Sequence, residues 1–288
     1  MTTSLPGLSP ALVARLSKNS QQHKYDHGHA LICSGGVGRG GAARLAGRGA
    51  LRIGAGLVTI ACPPAALIEN AAQLTAIMLR SVADAEALAE MLADTRFNAL
   101  CLGPGQGLSD RTKQMVGRAL AADRATVLDA DALTVFESDP DALFAQLHPR
   151  TVITPHMGEF SRLFPDEAEQ IRGAKSELVI RQALNKAARR AHCVVLLKGP
   201  TTRIADLAGH VYEIKATGQN AAPWLATAGS GDVLAGFITG LLARGFSPSE
   251  AAQLGTGLHI AAARSFGPGL IAEDLPEALP KIFQTLAI

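Results

Sequence analysis

The strongest constraint on the fold is a rhythm along the chain. Short apolar runs at Ala30–Cys33, Leu57–Cys62, Ala99–Leu102, Ala125–Leu128, Thr151–Thr154 and Val194–Leu197 alternate with alanine-rich stretches of helical spacing. These stretches are Gly41–Ile53, Asp84–Leu92, Asp110–Ala121 and Ser176–Ala191. Several of the apolar runs are continuous rather than alternating, as expected of strands covered on both faces. Strand and helix in repetition predict an α/β fold, a largely parallel central sheet flanked by helices on both faces. Later, "TTRIAD" and "HVYEIKA" flank "LAGH" and predict a hairpin at the sheet edge. The tail reads as two helices, Ser230–Arg244 and Ser247–Phe266; in "SPSEAAQL" a serine cap precedes proline and glutamate in the first turn. No linker, low-complexity stretch or repeat intervenes, so residues 1–288 read as one domain.

Composition narrows the function. Hydrophobic residues make up 48% and charged residues 18%, enough for a sizeable core. No apolar run reaches the roughly 20 residues a membrane helix needs, so no membrane contact is expected. A net charge of +2 and an aromatic content of 4% disfavour a nucleic-acid partner, and any anion must be met by a local site. The opening "MTTSLPGLSPALVARLSKNS" lacks a basic head followed by an apolar run, so no signal peptide is expected and the protein is placed in the cytoplasm. The cysteines, Cys33, Cys62, Cys101 and Cys193, form no CxxC pair and lie in or beside apolar runs. They read as buried small hydrophobes in a reducing compartment.

In open parallel sheets ligands sit beyond the carboxyl ends of the strands, and that is where the unusual residues fall. "SGGVGRGGAARL" follows the first run, a glycine-rich turn entering a helix, suited either to a phosphate or to close packing. It lacks the lysine of a P-loop. "LGPGQG" is a rigid turn without bulk. "VLDADAL" holds Asp129, at the strand end, and Asp131, which reads as a cap for the next helix; together they could also hold Mg²⁺ through water. "TPHMGEF" puts His156 where a strand gives way to a turn, with Glu159 in the next first turn. Lys198 follows a buried strand and can meet a phosphate as a point charge.

"TAGSGD", Thr227–Asp232, opens an apolar helix. Its small residues can turn their amides on an anion. Ser230 is expected to cap the helix. With that role filled, Asp232 is expected to act as a base on a hydroxyl that approaches a phosphate.

The order of these motifs, closing with "NAAPWLATAGSGDVLAGFITGLLARG" and "AAQLGTGLHIAAA", resembles the NAD(P)H-hydrate dehydratase family, ribokinase-like proteins of the carbohydrate-kinase-related type. The resemblance runs from about Lys24 to Ala263. It implies an ADP-dependent or ATP-dependent lyase that uses Mg²⁺ to repair hydrated NADH and NADPH, with ADP the bacterial donor, and that forms a homo-tetramer. It implies Asp232 as the base, with the amides of Gly229, Ser230 and Gly231 around the developing charge and no protein residue assigned as a direct metal ligand. It implies hydrate contacts at Ala42, Gly105, His156 and Asp232. It further implies an adenine-nucleotide site at Lys198, Gly199, Pro200, Thr201, Thr202, Asn220 and Gly231.

The chain departs from the family at Ala228, where a glycine is usual and an ordinary backbone is therefore expected, at Gly40-Gly41, and at the bulky Trp224 near the site. Many members carry an epimerase domain, for which 288 residues leave no room. Two other readings stay open: a small-molecule kinase of the same fold acting on a vitamin precursor or sugar, and a non-catalytic nucleotide-binding protein.

Overall fold

A computed structural model describes Leu5 and residues 7–288. Residues 1–4 and Pro6, part of the stretch behind the signal-peptide reading, lie outside the described residues. Among the described residues nine strands form one sheet: β1 (His29–Cys33), β2 (Leu57–Cys62), β3 (Met78–Ser81), β4 (Phe97–Leu102), β5 (Ala125–Leu128), β6 (Thr151–Ile153), β7 (Val194–Leu197), β8 (Thr201–Ala205) and β9 (Val211–Lys215). Their order is β3-β2-β1-β4-β5-β6-β7-β8-β9. The first seven in chain order pair in parallel. The last two add antiparallel, as the hairpin pattern predicts. The expected strands form within a residue or two of their predicted ends. The edge strand β3 carries no sequence signal, because "MLRS" is largely exposed and needs no apolar run.

Side chains alternate between two cores. Ala30, Ile32, Ala99, Cys101, Val127 and Val152 face one of them, with the helices Gly41–Arg52, Ser230–Ala243, Pro248–Phe266 and Asp274–Leu286. Leu31, Leu100, Leu102, Leu128 and Ile153 face the other, with Ala85–Leu92, Asp110–Ala121 and Glu177–Ala191. Asp274–Leu286 was not expected, because Pro276 and Pro280 interrupt its pattern; Pro280 stands inside the helix. Ser247 caps its helix, with Glu250 completing the reciprocal bond. All four cysteines are free and buried, and burial pushes the Cys33 thiol up to about 12. Among the described residues no helix is long and apolar enough to cross a membrane.

Ser230–Ala243 is buried throughout from Val233 onward, as a helix apolar on all sides must be. It presses backbone to backbone on Gly41–Arg52. A Cβ at Gly236 would strike the Ala46 carbonyl, and one at Gly240 would stand 2.6 Å from the Ala50 oxygen. Pairing of 46 with 236 and of 50 with 240 makes the two helices parallel, so their N-termini lie side by side. Both open where β1 and β4 end, and the chain order reverses across that pair. Gly35, two residues beyond β1, is so close to Gly105, three beyond β4, that a Cβ would strike the Gly105 carbonyl.

This packing gives a stability test. Gly236→Ala is expected to lower the unfolding free energy by about 2–3 kcal/mol through overpacking. Gly173→Ala, whose Cβ meets nothing closer than 3.5 Å, should change it by less than about 0.5 kcal/mol. Urea titration of both variants checks the contrast; equal stabilities would contradict the close approach.

Candidate active site

The turn into Ser230–Ala243 is made by Gly229, the residue before the helix, at φ +85°. A left-handed residue there favours glycine. Ala228 is absent from the residues with positive φ, so it has the ordinary backbone expected of it. The expected serine cap is not formed. Ser230 is the first helical residue, and its Oγ donates to the Leu225 carbonyl at 2.8 Å. No side chain caps the helix, and among the described residues the amides of Gly231 and Asp232 meet no acceptor. Free first-turn amides at the positive end of a helix are an anion site.

Asp232 stands in this first turn. Burial, and then Asp129, push its carboxyl up from 3.8 to about 6; Lys198 opposes the rise and Asp131 adds to it. Such a carboxylate is ionised at neutral pH yet is a far better base than a surface aspartate.

Lys198 follows β7 directly, and its Nζ donates to Asp129 Oδ1 at 2.6 Å. Asp129 is 2% exposed. Burial works against the lysine charge, but Asp129, Glu159 and Asp232 outweigh it, and the pKa stands above its ordinary value. The Nζ lies 3.6 Å from where a Cβ of Gly231 would be, so the cation sits beside the free amides. Asp131 is not the expected cap either: Ala130, at φ +49°, holds that position. Asp131 instead accepts from the amide of Gly107 at 2.7 Å and ties down the "GPGQG" turn. The carboxylates imagined as a pair on Mg²⁺ are thus separately engaged. Among the described residues no cluster of three or more metal-ligating side chains occurs.

His156 precedes the helix Met157–Leu163 and caps it, its Nδ1 accepting from the amides of Gly158 (2.9 Å) and Glu159 (3.2 Å). Glu159 returns the bond, accepting from the His156 amide at 2.8 Å. The imidazole side chain remains 55% exposed, with Nε2 3.6 Å from Glu159 Oε1. Ala42 and Gly105 meet across the glycine turns: the Ala42 Cβ is 3.8 Å from where a Cβ of Gly105 would be.

On the other side of Lys198 lies a cavity of about 360 Å³. Lys198, Gly199, Pro200, Thr202, Ser230 and Gly231 line it, closed by the apolar Leu225, Leu234 and Ile260. Two expected members do not reach its wall. Thr201 is taken into the β8–β9 pairing opposite Lys215, and Asn220 Oδ1 accepts from Arg264 Nη1 at 3.0 Å. Trp224, 47% exposed, borders a neighbouring notch with Leu270 and Ile271 rather than the cavity.

The sequence reading missed His259, which lines the cavity at 6% exposure. Its Nε2 is 2.9 Å from the Ser230 carbonyl, and because a carbonyl only accepts, that nitrogen carries the hydrogen. Burial, aided by Lys198, lowers its pKa to about 4 despite the Ser230 bond, so the ring is neutral. The available signal was one histidine in the otherwise small and apolar "GTGLHIAAA".

A family model described as NAD(P)H-hydrate dehydratase matches residues 30–284. The chain is 35% identical over 258 residues to a bifunctional NAD(P)H-hydrate repair enzyme of Coxiella burnetii, covering 88% of this chain and 50% of that one. It is 38% identical over 285 residues to the enzyme of the same name from Moorella thermoacetica, covering 93% and 52%. The chain thus spans about half the length of these curated relatives. Among solved structures it is similar to the ADP/ATP-dependent NAD(P)H-hydrate dehydratase of Bacillus subtilis co-crystallised with ATP/Mg²⁺, at 27% identity and a TM-score of 0.75 over 94% of each chain. A ribokinase-like superfamily protein of Enterococcus faecalis matches at 22% identity and a TM-score of 0.78, over 97% and 95% of the two chains, and bears on the fold alone. The chain has the ribokinase-like fold and belongs to the NAD(P)H-hydrate dehydratase family.

Proposed function

We propose that this chain repairs hydrated NADH and NADPH, with ADP or ATP as phosphoryl donor. The observation that carries the reading is Asp232, a raised-pKa carboxylate beside uncapped first-turn amides. The donor's base occupies the cavity between Pro200, Leu225 and Ile260, and its phosphates run toward Lys198 and the amides of Gly231 and Asp232. The hydrate enters over Ala42, Gly105 and His156. Asp232 takes the proton of the ring hydroxyl; its oxygen forms a bond to the terminal phosphorus as the bond to the leaving nucleotide breaks. The ring nitrogen lone pair then expels phosphate from the neighbouring carbon, and loss of a ring proton restores the dihydropyridine. Phosphorylation is what turns hydroxide, a poor leaving group, into a good one. Lys198 and the amides stabilise charge that grows on the phosphoryl oxygens.

The residues present fit Mg²⁺ carried on the donor phosphates rather than in a protein cage, since Asp129 and Asp131 are engaged elsewhere. Bound there, the ion neutralises phosphate charge. His259 fixes the Ser230 carbonyl and with it the first turn. Residues 1–288 act in this reading as one unit, assembled as a homo-tetramer in the cytoplasm, a compartment that suits free buried cysteines. Absorbance at the reduced-nicotinamide band tests the reaction, with hydrated NADH, Mg²⁺ and either donor. No recovery with either donor sinks it, and a stable phosphate ester formed on a vitamin precursor would favour a kinase.

Asp232→Asn is expected to lower kcat by about 10²–10⁴-fold. In the wild type, kcat/KM should fall as pH drops through about 6, where Asp232 takes up its proton. Full activity in the variant removes the base. Stability should move the other way. A carboxyl whose pKa is raised on folding costs stability once it is ionised, so the wild type loses stability as pH rises from about 4 through 6. Asp232→Asn should therefore be more stable than wild type at pH ~8, by about 2 kcal/mol, and not at pH ~4. Thermal melts at the two pH values decide this, and equal gains at both would refute the buried-charge account.

A further inference from the structure

The cleft holds more acids than bases. Asp129 and Asp131 both act on the charge of Asp232, Glu159 acts on Lys198, and the Lys198 ammonium is already committed to Asp129. Free helix amides offset this on the donor side. A second reactant that carries a diphosphate meets a field of the wrong sign unless a cation stands at the rim. This step rests on the repair reaction proposed above.

Arg39 stands there. It lies on the glycine-rich turn between β1 and the helix Gly41–Arg52, its amide donating to the Gly36 carbonyl at 2.9 Å. Its backbone is wedged between the two turns. A Cβ at Gly35 would be 3.0 Å from the Arg39 Cβ, and one at Gly105 would be 2.7 Å from the Arg39 carbonyl. The side chain crosses the crevice to the second turn, with Nη1 2.9 Å from where a Cβ of Gly107 would be. Arg39 thus spans the ends of β1 and β4, three residues before Ala42. The exposed Arg48, Arg52, Arg96 and Arg118 pair with carboxylates, while Arg172 and Arg264 are engaged by Ser161 and Asn220. Among the described residues no carboxylate lies within 4.0 Å of the Arg39 guanidinium; Asp131, which binds the amide of that same Gly107, is no exception.

We infer that Arg39 takes a phosphate group of the dinucleotide hydrate, and so selects a dinucleotide over a bare hydrated ring. A planar guanidinium offers two parallel N–H donors to phosphate oxygens.

Reduced dinucleotides are the probes, followed by nicotinamide fluorescence with wild-type protein, Arg39→Gln and Arg39→Lys. Arg39→Gln should raise the Kd of NADH and NADPH about tenfold, the loss of one charge-assisted contact, with Arg39→Lys in between. With saturating hydrate, kcat should stay within about twofold and the donor KM unchanged, which a collapsed turn would not allow. Equal losses for NADH and NADPH place the guanidinium on the diphosphate; a loss confined to NADPH places it on the 2′-phosphate. A Kd within about twofold of wild type for both dinucleotides overturns the assignment, as does wild-type protein that binds neither. Repair is read separately: protein that binds NADH through Arg39 but restores no hydrate overturns the proposed reaction and not the phosphate contact.

Discussion

The site depends on one close contact, the face of Ser230–Ala243 against Gly41–Arg52. Gly236 and Gly240 let the two backbones meet at Ala46 and Ala50. Two parallel helices side by side set like dipole ends together, each worth roughly half a positive charge at its N-terminus. Left alone these ends repel. Burial of the apolar helix on all sides holds them in place, and small residues on the sheet face beneath, Ala30, Ala99 and Cys101, give it room. One end faces the donor side and the other carries the glycine turn with Ala42. A single packing decision therefore fixes where both reactants can lie.

The charges in the cleft follow from that placement. Positive helix ends invite anions, and the protein adds carboxylates among them. Asp129 is neutralised by Lys198 and Asp131 is tied to a backbone amide. Among the described residues Asp232 has no hydrogen-bonded partner that would hold it ionised, and burial raises its pKa. The position is costly for folding and useful for proton transfer for the same reason, since the ionised form is under-solvated. Neutral His259 behind the turn supports the first helical carbonyl without adding charge.

Much of the fold could be read in the sequence because parallel strands are buried on both faces and announce themselves as apolar runs. β3 could not, since an edge strand needs no such run, and Asp274–Leu286 was hidden by two prolines. In the site, glycine turns at strand ends drew attention to the right segments: Ala42 lies against Gly105, and Lys198, Gly199 and Gly231 line one cavity. Caps were not legible. Ser230 and Asp131 are good capping residues by type, but a side chain caps only from the residue before the first turn. The turn geometry moved both one residue inside, where Leu225 and Gly107 claimed them. Asn220 went to Arg264, a partner 44 positions away that local pattern cannot foresee.

The Ala228–Gly229 turn has a consequence for how such chains can diverge. A left-handed backbone falls on Gly229 only, and a Cβ there would also press on Leu45 at 2.6 Å and Ala272 at 2.9 Å. The two small residues before the helix are therefore unequal in what drift they tolerate. The first can accept a methyl group and keep the loop's shape, as this chain demonstrates. At the second, any substitution must be answered by changes in two other segments at once, so lineages should vary freely at one position and remain locked at the next.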